Sequence, residues 1–208
     1  IGSLLALAVW QGFDAHDRGY EARQKATRHT VEVAHGLLVW AHGLETSGRM
    51  DRTAAQQLAK DAVSRLRYEG SEYFWINDMH PRVVMHPIKP ELDGKDVSDV
   101  KDPNGQHLFK AFVAKVRQDK EGFVPYLWPK PGQQQPVEKL SYVKGFEPWG
   151  WVLGSGIYID ELRAELMQYI QRLLVIVGVA LALTIALTRS ISRSIVKGLN
   201  KAMRVAKA

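Results

Sequence analysis

Eight side chains that join an apolar ring to a polar tip, Tyr73, Trp75, Tyr126, Trp128, Tyr142, Trp149, Trp151 and Tyr158, fall in stretches rich in β-branched and aromatic residues. A core needing only apolar bulk would use Val, Ile and Leu. Alternation along a strand puts Tyr73 with Trp75 on one face and Tyr126 with Trp128 on one face. Apolar walls carrying a few hydroxyl, indole or imidazole donors are what a pocket for a small polar ligand requires. Ordinary core packing explains the same rings equally well one at a time, and better for Trp149 and Trp151, which sit beside a turn. His80 and His86 have the spacing of two metal ligands, but no third donor recurs near them, so no metal is expected. The chain has no Gly-rich phosphate loop, no GxSxG elbow and no HExxH, and its acids are scattered through loops. Binding is expected, not catalysis, and no cofactor.

These rings need strands to hold them. From Asp14 to Glu45 there is no Pro, and Val33, Leu37, Trp40 and Leu44, with Ala34 and Ala41, recur at helical spacing. Gly48 stops this long helix. Asp51 or Thr53 caps a second one, whose stripe Leu58, Ala62 and Leu66 runs toward Gly70. The period then changes to that of strands at Tyr73–Asn77, Val83–His86, Phe123–Trp128, Glu138–Phe146 and Trp151–Ile159, with a short helix near Leu108–Val116. Five antiparallel strands with a helix over one face give an α+β class.

The 208 residues suffice for one sizeable domain with attachments, and the absence of Cys excludes disulfides and thiolate metal sites. The net charge of +6 resides entirely in residues 189–208, where Arg189, Arg193, Lys197, Lys201, Arg204 and Lys207 stand without an acid. The rest is neutral, so no nucleic-acid partner is expected. Just before the tail, Leu173–Thr188 carries no charge and, extended by Tyr169 and Ile170, reads as a transmembrane helix. Cations after the span place the tail in the cytoplasm and the preceding domain outside. The uncharged opening IGSLLALAVWQGF reads as the end of a truncated first span. The expected organisation is 1–13 membrane, 14–168 outer domain, 169–188 membrane and 189–208 cytoplasmic linker. Because helices lead from the outer domain into both membrane segments, a parallel homodimer packed through Val33, Leu37, Trp40 and Leu44 is expected.

The stretches YFWIND, MHPIKPELDGKDVSDVKDPNG, FVPYLWPKPG and KLSYVKGFEPWGWVLGSGIYID resemble the single Cache domains that form the extracytoplasmic sensors of bacterial chemoreceptors and sensor kinases. The resemblance runs from about residue 20 to 165. RSISRSIVKGLNKAMRVA resembles the start of a HAMP linker, with Gly198 where that family often has Pro. The resemblance implies a PAS-like five-stranded antiparallel sheet behind a long N-terminal helix, with a pocket for small organic acids such as acetate, propionate, pyruvate or lactate. It assigns Tyr73 and Trp75 to one wall, His86 to a donor, Tyr126 and Trp128 to a second strand, and Lys139 with Tyr142 to a third. Alternation sets Lys139 and Tyr142 on opposite faces unless a bulge intervenes. Arg67 is a further candidate cation. The receptor would lie in the bacterial inner membrane with its sensor in the periplasm, and would signal to cytoplasmic partners. A sensor histidine kinase or diguanylate cyclase input is the alternative. A membrane-tethered hydrolase would need a nucleophile, base and orienter that the sequence does not offer.

Overall fold

The computed structural model describes residues 2–205, without the side chains of residues 2–6, 8, 161–163, 165, 194 and 198–205. Among the tail cations, Lys207 lies outside the described residues. The order is α1 (Gly2–Thr46), α2 (Arg52–Arg65), β1 (Phe74–Asp78), β2 (Val83–Met85), α3 (Leu108–Asp119), β3 (Glu121–Pro129), β4 (Pro136–Phe146), β5 (Trp151–Tyr158) and α4 (Asp160–Val205). It divides into two units, one of residues from His16 to Arg163 and one of residues up to Ala15 together with those from Ala164.

In the first unit α1 ends at Thr46, with Gly48 at φ +72°, a left-handed position that glycine tolerates best. Asp51 caps α2, its carboxylate accepting from the Ala54 N–H at 2.8 Å. This helix stops at Arg65, earlier than the Gly70 expected, because Leu66 is already extended.

The strands pair antiparallel in the order β2-β1-β5-β4-β3, so the last strand lies at the centre. α1 and α2 cover one face, where Val31, Ala34, Leu38, Ala41, Ala59 and Val63 pack on Phe74, Ile76, Leu153 and Trp151. α3 covers the other, with Leu108, Phe109, Phe112 and Val113 against Tyr73, Trp75, Tyr126 and Trp128. The α1 stripe read from the sequence therefore separates into two faces. Ala34 and Ala41 point into the core, whereas Val33 (75% exposed) and Trp40 (52% exposed) point away from it. Trp149 and Trp151 are core residues on the α1 side.

The second unit is helical. Gly12 of α1 faces Tyr169 of α4 so closely that a Cβ at residue 12 would collide with the ring. Leu166–Lys197 is long and apolar enough to cross a membrane, and none of its described side chains is buried within the chain. The expected span 169–188 falls inside it.

Candidate ligand-binding site

Register decides which side chains meet on the α3 face. Lys139 of β4 stands opposite Tyr126 of β3 and Tyr158 of β5. Ser141 is paired with Gly156, and Trp75 with Gly154. Directly opposed residues share a face, so the central strand contributes two glycines to a sheet surface otherwise filled by rings. Both are required there. A Cβ at Gly154 would run into the Trp75 indole, and one at Gly156 into the Ser141 hydroxyl.

On this face the polar tips converge. The Lys139 side chain is fully buried, and its Nζ donates to Tyr158 Oη at 3.2 Å. The ammonium lies 4.3 Å from the ring centroid of Tyr73 and 4.3 Å from that of Tyr158, and 4.0 Å from a carboxylate oxygen of Glu72. Both rings present their negative faces to it. The Trp128 indole N–H donates to Tyr73 Oη at 3.1 Å, and Tyr158 Oη donates to the Pro129 carbonyl at 2.9 Å. Tyr126 Oη is bonded to Ser141 Oγ at 3.0 Å.

His86 closes the cluster, its ring 5.1 Å from Tyr73 and 6.3 Å from Trp128. Its Nδ1 accepts the backbone N–H groups of Ile88 (3.3 Å) and Lys89 (3.0 Å), which fixes the tautomer with the proton on Nε2. Burial first, then the charges of Lys139 and Lys89, lower its pKa to about 3, so His86 is a neutral N–H donor at physiological pH. Burial also lowers Lys139 from its ordinary range to about 8, against the opposing pull of Glu72. Desolvation raises Tyr73 to about 12 and pushes Tyr126 and Tyr158 further up, keeping the phenols protonated. Glu72 and Tyr158 also line a cleft of about 140 Å³ with Arg23, Glu69, Ser71 and Lys130.

Of the residues expected at a site, Tyr73, His86, Tyr126, Trp128 and Lys139 come together. Trp75 shares their face but packs toward α3, its ring 5.2 Å from Phe112 and its N–H on Asn77. Tyr142 lies on the opposite face, against Phe123 and beneath Arg28 of α1, because no bulge disturbs the β4 alternation. Arg67 is exposed and its guanidinium turns back to the Ser64 and Leu66 carbonyls at the end of α2. His80 is exposed in the β1–β2 turn, apart from the buried His86. Among the described residues no three His, Asp or Glu side chains have an arrangement that could hold a metal. Reasoning from sequence did not single out Glu72 or Ser141, and it named Tyr158 among the strand aromatics without assigning it to the site. The β4–β5 register would have pointed to Tyr158 and Ser141, but it is a property of the folded sheet.

A five-stranded antiparallel sheet with a long helix across one face and a buried polar cage on the other defines a PAS-like sensor domain. The chain belongs to the Cache domain family, whose sequence model matches residues 16–178. It is 44% identical over 183 residues to the methyl-accepting chemotaxis protein McpP of Pseudomonas putida, covering 88% of this chain and 34% of that protein. To the sensor histidine kinase MctS of Rhizobium johnstonii it is 31% identical over 121 residues, covering 58% of this chain and 26% of that one. The chain thus spans between about a quarter and a third of the length of these curated relatives. Among solved structures, one described as the periplasmic sensor domain of a chemotaxis protein aligns with a TM-score of 0.67 at 50% identity, covering 68% of this chain and 98% of that one. Another, described as showing the structural basis for carboxylic acid recognition by a Cache chemosensory domain, aligns at 49% identity and a TM-score of 0.67, covering 70% and 99%.

Proposed function

We propose that this chain is the sensing portion of a membrane-anchored chemoreceptor that binds acids of two or three carbons, of the acetate, propionate, pyruvate or lactate type. The observation that carries this reading is a fully buried lysine ammonium held between two tyrosine rings, with a neutral histidine donor beside it. Such small acids have little area to bury, each CH₂ contributing only about 0.8 kcal/mol, so the carboxylate must supply most of the binding. Lys139 provides the charge, His86 Nε2–H and the tyrosine hydroxyls provide donors, and Trp128 bounds the length of the acid. The resemblance to a Cache domain described as recognising carboxylic acids supports the ligand class.

In this reading residues 14–168 form the periplasmic sensor, residues 1–13 and 169–188 lie in the inner membrane, and residues 189–208 begin a HAMP linker in the cytoplasm. The apolar outer side of α1, bearing Val33 and Trp40, packs against a second copy. The similarity to MctS supports a second reading, input to a kinase in place of chemotaxis.

Calorimetric titration of the detergent-solubilised chain with short carboxylates tests the binding role. Charge-assisted hydrogen bonds contribute roughly 1.5–3 kcal/mol each, so His86→Ala and Lys139→Ala should each weaken propionate or acetate binding by about tenfold or more. If both variants fold and bind these acids as the parent does, the site is wrong. If the parent binds none of them, the ligand class is wrong.

A further inference from the structure

An anion-binding cage gains from positive charge and loses from negative, yet Glu72 stands two residues before β1 with its side chain only 11% exposed and its carboxylate 4.0 Å from Lys139 Nζ. The groups facing it come from every neighbouring element. They are Lys139 of β4, Tyr158 of β5, Tyr126 of β3, Tyr73 just before β1 and Tyr68 ahead of it, with Arg23 of α1, Glu69 and Lys130 along the cleft. None of the tyrosines is ionised near neutral pH, so Lys139 is the charge that this carboxylate offsets inside the cage.

That pairing has a use when no acid is bound. An ammonium taken out of water without an opposite charge is strongly unfavourable, and two aromatic faces replace only part of its hydration. A ligand carboxylate hydrogen-bonded to Lys139 at about 2.8 Å would sit within about 7 Å of the Glu72 carboxylate. Two anions in one poorly solvated site would then share a single cation, an arrangement that repels. The cleft that Glu72 lines also carries Arg23 and Lys130, the latter ion-paired with Asp160 at 3.0 Å, so the positive charge of this cleft offers the Glu72 carboxylate a place outside the cage.

Resting on the carboxylate reading above, we propose that Glu72 is a built-in surrogate for the ligand. Its carboxylate neutralises Lys139 in the ligand-free state and gives up that place to the incoming acid. Glu72 therefore sets the affinity of the site and its discrimination between an acid and a neutral analogue of the same shape. Because Arg23 belongs to α1, the displaced carboxylate would report ligand binding to the helix that leads toward the membrane.

The test compares propionate with propionamide, titrated calorimetrically into the detergent-solubilised chain and into its Glu72→Gln variant. Removing a like charge at this distance should tighten propionate by about tenfold or more while leaving propionamide within about threefold. A loss of structure would move both ligands together, so the ratio of the two affinities isolates the electrostatic role. Should Glu72→Gln fail to fold, Glu72→Asp withdraws the carboxylate by one methylene and must shift the ratio in the same direction. Propionate bound by the parent but no tighter, relative to propionamide, by the folded variant overturns the surrogate role and leaves the ligand reading intact. Binding of no short acid by either chain sinks the ligand reading, and the surrogate with it.

Discussion

The Trp128 indole N–H donates to the Tyr73 hydroxyl at 3.1 Å, joining β3 to β1 across the two strands that separate them in the sheet. Neighbouring strands lie about 4.8 Å apart, so three steps amount to roughly 14 Å along a flat sheet. Two side chains bridge that span because the strand beside β1 presents Gly154 and Gly156 to this face. The indole lies as a roof over the strands that carry Lys139 and Tyr158 on this face.

Shortening that roof should change which acids fit. Trp128→Ala removes the indole, so acids of four to six carbons should gain affinity relative to propionate, read as the ratio of their dissociation constants. Trp128→Phe keeps an aromatic ring but loses the N–H along with part of the bulk, and leaving Tyr73 Oη without its donor costs roughly 1–3 kcal/mol. It should lower stability and relax the length limit less than Trp128→Ala does. An Ala variant with the parent's preference would remove Trp128 as the length gauge.

The titration of Lys139 makes stability and affinity respond to pH in opposite directions. Its pKa is lowered by burial from 10.5 to about 8, so between these values the folded chain holds fewer protons than the unfolded one. Unfolding there takes up protons, and the ligand-free domain should gain stability as pH rises through this window. Carboxylate binding, which needs the ammonium, should weaken over the same range. Because burial and the nearby lysines lower His86 from 6.5 to about 3, that residue should add no affinity change between pH 6.5 and 8. Thermal unfolding with and without propionate at pH 7 to 10 measures both trends. Affinity that holds steady above pH 9 would show that the ammonium is not the anion's partner.

Hydrophobic and aromatic periodicity made most of this architecture readable, since each strand follows the residues expected to within about two positions and alternation alone separated Lys139 from Tyr142. What it could not supply was register. Tyr158 joins the site only because β5 pairs with β4 so that residue 158 meets residue 139, and Glu72 only because the chain enters β1 beside them. Arg67 failed to join for a local reason, as its guanidinium satisfies carbonyls at the end of α2. On α1, apolar residues at helical spacing marked the helix correctly but could not say which of its two apolar faces met the sheet.

Gly154 offers a test of the sheet face that carries the site, one that does not involve ligand. Gly154→Ala would drive a methyl group into the Trp75 indole on the same face. Overpacking of this kind typically costs about 1–3 kcal/mol, which should appear as a lower denaturation midpoint with an unchanged slope. A variant as stable as the parent would mean that Trp75 has room to move, and that the glycine is not needed for packing.

The outer side of α1 yields the last prediction. Val33 and Trp40 are seven residues apart, two helical turns, and are 75% and 52% exposed while Val31, Ala34, Leu38 and Ala41 on the inner side are 0–1% exposed. A large apolar residue repeated at that interval and turned from the core is the pattern of a helix–helix seam, in which a second copy would cover both side chains. In a parallel pair, residue 33 meets residue 33 and residue 40 meets residue 40. The chain has no cysteine, so single substitutions Val33→Cys and Trp40→Cys report without background. Each should form a disulfide-linked dimer in membranes under mild oxidant, whereas Gln57→Cys on the exposed side of α2 should not. If neither α1 variant cross-links while the protein remains folded and inserted, the two copies do not meet along this helix.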